Sequence, residues 1–326
     1  MTKLETKVKK IGVLTSGGDA PGMNAAIRAV VRYGIYLGLE VVGIEYGYRG
    51  LIDKKFKPMN LRSVSDIIQR GGTMLKTARC DEFKSDEGVQ RGVQNLREAK
   101  IGGLVVIGGD GTFGGAKDLS AKGVPTIGIP GTIDNDLPYT DCTLGFDTAV
   151  NTVLDAINKI RDTMTSHDRV SIVEVMGRRC GQIALHAGIG GGAEVIIVPE
   201  CPMPIEEVCK KLEAGRASGK ISGIIVLAEG AGSADDYAGE IMKRTNITIK
   251  ASVLGHLQRG GAPTNRDRML ASLFGCHAVR LLSAGTGNRL VGIKNNAIID
   301  IGITEGLAVK REFEKEIYEI ASVLSK

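Results

Sequence analysis

The chain has 326 residues, of which 43% are hydrophobic, 24% charged and only 4% aromatic, with a formal net charge of +5. This composition excludes a disordered protein, and so small a charge with so few aromatic rings argues against a nucleic-acid partner. No apolar run is long enough to cross a membrane, and the charged N-terminal sequence has no apolar segment behind it, so we expect no signal peptide, no membrane partner and a cytoplasmic protein.

Chain length, cysteines and glycines set further bounds. A chain of this size is expected to form about two domains. None of the six cysteines belongs to a C-x-x-C pair, so we expect free thiols rather than a zinc site or a disulfide framework. The 45 glycines are unusual, and many lie at the ends of apolar runs, where a backbone without Cβ can turn and approach a ligand closely.

The first predicted elements are a strand over Lys10–Leu14, a glycine-rich loop and a helix through Met23–Val31. Such a loop can point amide N–H groups at a phosphate, although a tight turn would also explain the glycines. A second strand over Glu40–Ile44 precedes the sequence YGYRGL, and a helix from residue 64 to about 70 follows. Arg79 in the next polar loop is a candidate phosphate clamp, although a lone loop arginine is usually solvated.

A more specific motif follows the next strand. The apolar run Ile101–Ile107 predicts a buried strand that ends in GGDGTF, before a helical segment beginning near Gly114. Three glycines around one carboxylate let backbone amides wrap phosphates while Asp110 offers an oxygen ligand to Mg²⁺. A simple turn is the alternative, but this pattern after an apolar strand favours phosphate binding.

The next strand, Val124–Ile129, is stopped by proline and glycine and continues as TIDND. One carboxylate of Asp134 and Asp136 could accept a hydroxyl proton while the other holds hydrated Mg²⁺, as phosphoryl transfer requires. An isolated D-N-D is more often a solvated turn. However, Asp110 and this pair follow successive strands joined by one helix, which a right-handed crossover places side by side. The two motifs together therefore predict a phosphoryl-transfer site.

The second half of the chain repeats the alternation of strands and helices, which predicts a second α/β domain. The predicted elements are a helix over Gly145–Ile160, strands over Val170–Met176, Ala193–Val198, Ile221–Ala228 and Ile247–Leu254, and helices over Asp267–Leu282 and Arg311–Leu324. Gly215–Lys220 almost spells a P-loop, but its spacing is one residue short, so we expect a surface turn.

Basic residues mark the predicted strand ends of this second domain. They are Arg169, Arg178, Arg179, His256 and Arg259. Guanidinium groups bind phosphate in a bidentate manner, so their collection suggests a phosphorylated substrate. Each one alone could equally be a surface salt-bridge partner or, for the histidine, a structural side chain.

Five motifs in this order, TSGGDAPGMNA, GGDGT, PGTIDND, VEVMGR and LGHLQRGG, resemble those of the bacterial ATP-dependent 6-phosphofructokinases. The resemblance runs through nearly the whole chain and weakens after about Asn295. It implies an α/β fold of two similar three-layer α/β/α domains with mostly parallel sheets, the active site in the cleft between them, and a homotetramer. The implied domains are residues 1–145 plus 258–308 for the nucleotide and residues 146–257 plus 309–326 for the sugar phosphate.

The resemblance also implies a reaction and roles for individual residues. The reaction is transfer of the γ-phosphoryl of ATP to the 1-hydroxyl of fructose 6-phosphate in glycolysis. Asp134 resembles the general base, Asp110 and Asp136 the Mg²⁺ ligands, and Thr132 and Arg178 the groups that stabilise the transferring phosphoryl. Residues resembling the ATP contacts are Gly18, Arg79, Cys80, Gly109, Asp110, Gly111 and Thr112. Those resembling the sugar-phosphate contacts are Thr132, Ile133, Asp134, Arg169 (from a neighbouring subunit), Met176, Gly177, Arg178, Glu229, Lys250, His256, Leu257, Gln258 and Arg259.

Three comparisons with the family pattern refine this expectation. Lys250 stands where a second cross-subunit arginine is usual, and lysine lacks the bidentate fork, so we expect weaker sugar-phosphate binding. Gly111 and Gly131 are similar to the ATP-using branch, whereas the pyrophosphate-using branch carries bulkier residues. The site for an ADP or phosphoenolpyruvate effector is partly retained, because Ser218 and Ser222 replace basic residues. Its matching residues are Arg28, Arg32, Asp66, Arg161, Gly192, Glu194 and Lys220.

Two other functions stay open at this stage. A different kinase with a GGDGT motif, such as those that phosphorylate dinucleotides or lipids, would explain Asp110 but neither PGTIDND nor the later arginines. A non-catalytic nucleotide or sugar-phosphate sensor would be expected to lack the base, whereas Asp134 is present.

Overall fold

A computed structural model describes residues 8–310 and 312–325. These residues form two compact units. Unit 1 extends to Thr132 and also contains Leu137–Phe146 and Arg259–Lys310; unit 2 contains Ile133–Asp136, Asp147–Gln258 and the described residues after Lys310. Within the described ranges, we find no helix with the length and apolarity needed to span a bilayer.

Strands and helices alternate along most of the chain. The strands are β1 (Lys10–Thr15), β2 (Glu40–Ile44), β3 (Phe56–Met59), β4 (Gly103–Gly108), β5 (Thr126–Pro130), β6 (Val170–Val175), β7 (Val195–Ile197), β8 (Gly223–Ala228), β9 (Ile249–Val253), β10 (Arg289–Lys294) and β11 (Ala297–Gly302). The α-helices are α1 (Met23–Tyr36), α2 (Gly47–Ile52), α3 (Asp86–Glu98), α4 (Asp110–Ala121), α5 (Phe146–Thr165), α6 (Gln182–Gly190), α7 (Ile205–Ala217), α8 (Ala234–Arg244), α9 (Asn265–Ser283), α10 (Ile303–Ala308) and α11 (Lys315–Leu324).

Unit 1 is built on a seven-stranded sheet in the order β11-β10-β5-β4-β1-β2-β3. The five strands from β10 to β2 are parallel, and β11 and β3 pair antiparallel at the two edges. On one face, side chains such as Leu104 pack with Phe113 and other apolar residues from α2, α3, α4 and α10. On the other face α9 lies against β4, where Leu282 packs over Gly103. Apolar residues buried on both faces give this sheet its core.

Unit 2 is built on a parallel four-stranded sheet in the order β7-β8-β6-β9. Helices α7 and α8 cover one face, where Val208, Leu212 and Ile241 pack with apolar residues of all four strands. Helix α6 covers the other face, with Gly188 packed against Ile196 of β7. Each unit therefore has helices on both sides of a mostly parallel sheet, which confirms the predicted α/β fold class.

The structure confirms the main pattern and corrects several boundaries. Strands β4 and β5 are parallel neighbours with Gly108 opposite Pro130, as the crossover argument requires. The helix predicted from residue 64 to about 70 is wrong, because only Arg62–Val64 form a 3₁₀ turn and Asp66 has φ 53°. The surface turn predicted at residues 215–220 is wrong in part, since α7 continues to Ala217. The final helix begins at Lys315 rather than at residue 311, which lies outside the described residues.

Candidate active site

The GGDGT motif lies where β4 meets α4 without an intervening loop. A Cβ on Gly108 would come within 2.3 Å of Thr112 Oγ1 and 2.4 Å of the Ser16 carbonyl oxygen, so no side chain fits there. Gly109 is the N-cap and the helix begins at Asp110, so the prediction of a helix beginning near Gly114 was wrong. The first amides of a helix have no carbonyl partner within it, and its dipole favours an anion. This junction can therefore bind a phosphate through backbone N–H groups.

Two hydrogen bonds hold the first turn of α4. The Thr112 hydroxyl donates to the Ser16 carbonyl at 3.1 Å, and the Tyr48 hydroxyl donates to the Thr112 carbonyl at 2.5 Å. Burial raises the pKa of Tyr48 well above its usual value, so the hydroxyl remains a donor at neutral pH. Tyr48 belongs to YGYRGL, which forms most of α2. Its role was missed because no local pattern indicates a partner so distant in sequence.

The glycine-rich loop after β1 contacts an arginine from the far end of the sequence. A Cβ on Gly18 would lie 2.1 Å from Arg259 Nη1, so only glycine leaves room for this guanidinium. Arg259 also donates to the Asp19 carbonyl at 3.3 Å. The structure thus brings together two residues that the sequence analysis assigned to different substrates.

Two further predicted ATP residues lie between this loop and α3. Arg79 is exposed, and Cys80 is partly buried at the N-terminal end of the 3₁₀ turn Asp81–Lys84. Burial raises the pKa of the Cys80 thiol, so it is a neutral group at pH 7. The backbone near them is tied to the first glycine loop, since the Thr77 hydroxyl donates to the Gly17 carbonyl at 2.7 Å.

The D-N-D segment is buried. Asp134 and Asn135 each expose only 2% of their surface, which contradicts the alternative of a solvated turn. Asp134 Oδ2 lies 3.5 Å from Arg178 Nε, so the carboxylate faces a guanidinium within unit 2. Asp136 is partly buried. In unit 1, the Thr132 carbonyl accepts a 2.6 Å hydrogen bond from the Thr143 hydroxyl, which fixes the backbone just before this segment.

Side chains that follow two other strands, β8 and β9, shape the turn after β6. Gly177 and Arg178 have φ values of 137° and 54°, and the second is unfavourable for a residue with a side chain. Glu229 Oε1 accepts from both of their amides, at 3.2 and 2.7 Å. Gln258 Oε1 accepts from the Met176 amide at 3.1 Å. Met176, Gly177, Arg178, Glu229 and Gln258 therefore form one cluster, and all five are residues predicted to contact the sugar phosphate.

The remaining predicted sugar-phosphate residues lie at two ends of the unit 2 sheet. His256 and Leu257 are exposed in the 3₁₀ turn Gly255–Arg259 after β9. Arg169 immediately precedes β6, and Lys250 lies near the start of β9, opposite Ser171. The sequence analysis placed Arg169 at a strand end corresponding to that of Arg178, and this was wrong. The six residues of β6 separate the two arginines by roughly 20 Å.

Three of the predicted effector residues meet in unit 2. Arg161 Nη2 donates to the Gly191 and Gly192 carbonyls at 2.6 and 2.9 Å, and Nη1 lies 3.9 Å from Glu194 Oε1. Lys220 instead donates to the Ser325 carbonyl at 2.9 Å. The other three, Arg28 and Arg32 of α1 and Asp66, belong to unit 1.

Each of the two predicted metal carboxylates, Asp110 of unit 1 and Asp136 of unit 2, is chemically suited to a magnesium ion bound largely through phosphates and water. Among the described residues, no three His, Cys, Asp or Glu side chains cluster as a complete metal site. Mg²⁺ commonly uses only one or two carboxylates besides phosphate oxygens and water. Asp110 offers an exposed carboxylate, whose Oδ1 accepts the Gly111 amide at 2.6 Å. Asp136 offers a second, partly buried one.

Known proteins resemble this chain over almost its full length. The family profile described as phosphofructokinase matches residues 10–282. An ATP-dependent 6-phosphofructokinase of Alkaliphilus metalliredigens (strain QYMF) is 58% identical over 318 residues, covering 98% of this chain and 100% of the relative. One from Clostridioides difficile (strain 630) is 59% identical over 318 residues with the same coverage.

Solved structures of phosphofructokinases also match this chain. The phosphofructokinase of Saccharomyces cerevisiae matches with a TM-score of 0.86 and 36% identity, over 97% of this chain and 46% of the yeast chain. A pyrophosphate-dependent phosphofructokinase from Marinobacter aquaeolei matches with a TM-score of 0.86 over 95% of this chain and 86% of its own, but at 22% identity it supports the fold alone. On these matches, the chain belongs to the phosphofructokinase family.

Proposed function

We propose that the protein transfers the γ-phosphoryl group of ATP to the 1-hydroxyl of fructose 6-phosphate, giving fructose 1,6-bisphosphate and ADP in glycolysis. Relatives that align over their whole length carry the name ATP-dependent 6-phosphofructokinase. The observation in this chain that carries the proposal is the buried Asp134 carboxylate facing the guanidinium of Arg178. A kinase of this class needs a base for the acceptor hydroxyl and a cation for the transferring group.

The reaction assigns separate tasks to these two side chains. Asp134 accepts the proton of the sugar 1-hydroxyl while the hydroxyl oxygen forms a bond to the γ-phosphorus. The bond between the γ-phosphorus and the bridging oxygen of the β-phosphate breaks, and ADP leaves with those electrons. Arg178 and Thr132 stabilise the negative charge on the transferring phosphoryl oxygens. The 3.5 Å contact between Asp134 and Arg178 supports this division.

Unit 1 supplies the ATP contacts in this proposal, and the nucleotide domain comprises residues 1–145 and 258–308. The start of α4 directly after β4, with first-turn amides that lack carbonyl partners in the helix, supports phosphate binding there. Gly18, Arg79 and Cys80 complete the nucleotide contacts.

Two glycines suit ATP as the phosphoryl donor. A Cβ on Gly111 would enter open space, so a bulkier residue there would occupy the region beside the start of α4. A Cβ on Gly131 would press within 3.1 Å of Ile107 and Met23. The open space beside Gly111 leaves room for a large nucleotide, which supports ATP rather than pyrophosphate. Gly131 supports ATP only through its similarity to the ATP-using branch, because its Cβ would face core side chains.

Asp110 and Asp136 hold Mg²⁺ in this proposal. These two carboxylates would hold the ion, which would supply positive charge against the charge that develops on the phosphates. The Asp110 carboxylate also holds the start of α4 by accepting a hydrogen bond from the Gly111 amide. The amides of that helix orient the phosphates.

Most sugar-phosphate contacts in this proposal belong to a second domain of residues 146–257 and 309–326. Met176, Gly177, Arg178 and Glu229 hold the sugar, while His256 and Arg259 bind its phosphate. Arg169 precedes β6, and Arg178 follows the opposite end of that strand. Lys250 lies near the start of β9, and His256 follows its opposite end. That separation supports their contribution to the site of a neighbouring copy, and the homotetramer of the family is part of the proposal.

The effector site and the cellular location follow the same proposal. ADP or phosphoenolpyruvate binds near Arg161, Gly192 and Glu194, supported by their mutual contacts. The protein acts in the cytoplasm, which is consistent with the free thiols of Cys80 and Cys276.

Asp134→Ser tests the proposed chemistry. We expect kcat to fall by about 10²- to 10⁴-fold, while calorimetric binding of fructose 6-phosphate and of ATP persists. Asp155→Ser is the matched control, because this aspartate is exposed and pairs only with Lys159 of the same helix among the described ion pairs. A wild-type protein that binds both ligands without turnover would instead be a sensor.

A further inference from the structure

The segment Ile133–Asp136 has a hydrogen-bonded support that the proposed reaction does not use. Asn135 lies between the two carboxylates, is 2% exposed, and has φ 49°, a conformation that asparagine tolerates better than most residues. Its side-chain amide donates to Gln182 Oε1 at 3.4 Å. Because Asn135 directly follows Asp134 in this short segment, a shift of Asn135 would also move the backbone that carries Asp134.

Gln182 is itself rigidly placed. It is the first residue of α6 and is 3% exposed. The preceding Gly181 packs so closely that a Cβ would lie 2.5 Å from Val198, and its amide donates to Glu200 Oε1 at 2.8 Å. A glutamine held in this way can fix the orientation of the Asn135 side chain through their hydrogen bond.

Glu314 decides which way the Gln182 amide faces. Gln182 Nε2 donates to Glu314 Oε2 at 3.0 Å. An ionised carboxylate only accepts hydrogen bonds, so it draws the NH₂ group of Gln182 and leaves the carbonyl oxygen for Asn135. The partner is fixed as well, because Glu314 precedes α11 and lies 3.4 Å from His186 Nε2, one helical turn beyond Gln182.

We propose that Gln182 and Glu314 are positioning residues for the phosphoryl-transfer reaction, acting through Asn135 to hold the Asp134 carboxylate toward its substrate hydroxyl. The inference rests on the proposed role of Asp134 as the base. It concerns alignment rather than binding, so removing the support should lower kcat and leave the KM values for ATP and fructose 6-phosphate nearly unchanged.

A donor–acceptor swap tests the proposal. Gln182→Glu keeps an acceptor for Asn135 but sets two carboxylates against each other, and Gln182→Met, of similar size, removes both hydrogen bonds. We expect each to reduce kcat about ten- to a hundredfold, the scale of a small misalignment. In the double variant Gln182→Glu with Glu314→Gln, the new glutamine can donate to the new glutamate. It should recover kcat to within about threefold of wild type.

Tyr318→Phe is the structural control. The Tyr318 hydroxyl donates to the Ile196 carbonyl at 3.1 Å and anchors α11 without touching Asn135 or Gln182. We expect it to lower Tm and keep kcat, with all assays run well below each variant's Tm. Wild-type kcat in both Gln182 variants, or a double variant no faster than Gln182→Glu, would overturn the proposal. Wild-type protein that fails to phosphorylate fructose 6-phosphate would overturn the proposed function instead.

Discussion

The start of α4 in unit 1 and the end of β6 in unit 2 keep their functional groups in place by different means. At α4, glycine lets the backbone pack closely, because a Cβ on Gly108 would overlap Thr112 and the Ser16 carbonyl. At β6, side chains hold a turn of unfavourable geometry, because Glu229 and Gln258 accept the amides of residues 176–178.

This difference determines how each region should respond to mutation. The first region is damaged by adding atoms, since the backbone at Gly108 has no room for a side chain. The second is damaged by removing them, since loss of the Glu229 or Gln258 acceptor deprives backbone amides of a hydrogen bond. The following variants test that contrast, beginning with the largest expected effect.

Arg178→Ala should reduce kcat about 10²- to 10³-fold, because it removes the cation facing both Asp134 and the transferring phosphoryl. Steady-state kinetics of the purified variant measure the effect. Arg179→Ala is the matched control, since Arg179 is the next residue and its side chain is also exposed. An equal loss in the control would mean that general positive charge, not the position of Arg178, supports the reaction.

Glu229→Ala should raise the KM for fructose 6-phosphate about ten- to a hundredfold, because the amides of Gly177 and Arg178 lose their shared acceptor. Glu229→Gln keeps an acceptor oxygen and should show a smaller rise. If the two variants have the same KM, the carboxylate does not act through these amides, and the proposed role of side chains at β6 is wrong.

Gly18→Ala should raise the KM for fructose 6-phosphate by roughly tenfold. The added Cβ would lie 2.1 Å from Arg259 Nη1, and the flexible guanidinium must move away from its position. Gly114→Ala is the control, because its Cβ would meet open space within α4. It should raise the free energy of unfolding by about 0.5–1 kcal/mol without changing kinetics. Unchanged kinetics in Gly18→Ala would separate Arg259 from sugar-phosphate binding.

Lys250→Arg should lower the KM for fructose 6-phosphate a few-fold, roughly two- to fivefold, because a guanidinium restores the bidentate fork that lysine lacks. Lys250 is exposed in β9, so the larger head group needs no rearrangement of the core. Lys243→Arg, at an exposed ion pair on α8, is the control and should leave the KM unchanged. A KM that is unchanged or raised in Lys250→Arg contradicts the expected role.

The sequence predicted best where apolar runs form buried strands. Residues Glu40–Ile44 were predicted as a strand and form β2, and the strands before GGDGT and TIDND are neighbours. The glycines on both sides of Asp110 misled the prediction of where α4 begins. A helix can begin directly after a strand when its N-cap is glycine. Periodicity gave no signal for α6, which is apolar on nearly all sides, or for β3, a short edge strand containing Pro58.

Contacts distant in sequence lay beyond prediction. Nothing in the local pattern around Gln182 indicates Asn135 or Glu314, and nothing in YGYRGL indicates that Tyr48 supports α4. The side-chain types of the site were recognisable because phosphoryl transfer needs carboxylates, guanidinium groups and glycines. The residues that hold these side chains by hydrogen bonds were not recognisable, because any residue with a suitable donor or acceptor can occupy such a position.

The most direct test of the proposed function is phosphorus NMR of the wild-type protein with Mg²⁺, fructose 6-phosphate and either ATP or pyrophosphate. We predict resonances of fructose 1,6-bisphosphate and ADP with ATP, and no sugar bisphosphate with pyrophosphate. Turnover with pyrophosphate would contradict the role given to Gly111 and Gly131 in donor choice. The absence of a bisphosphate with either donor would contradict the proposed reaction itself.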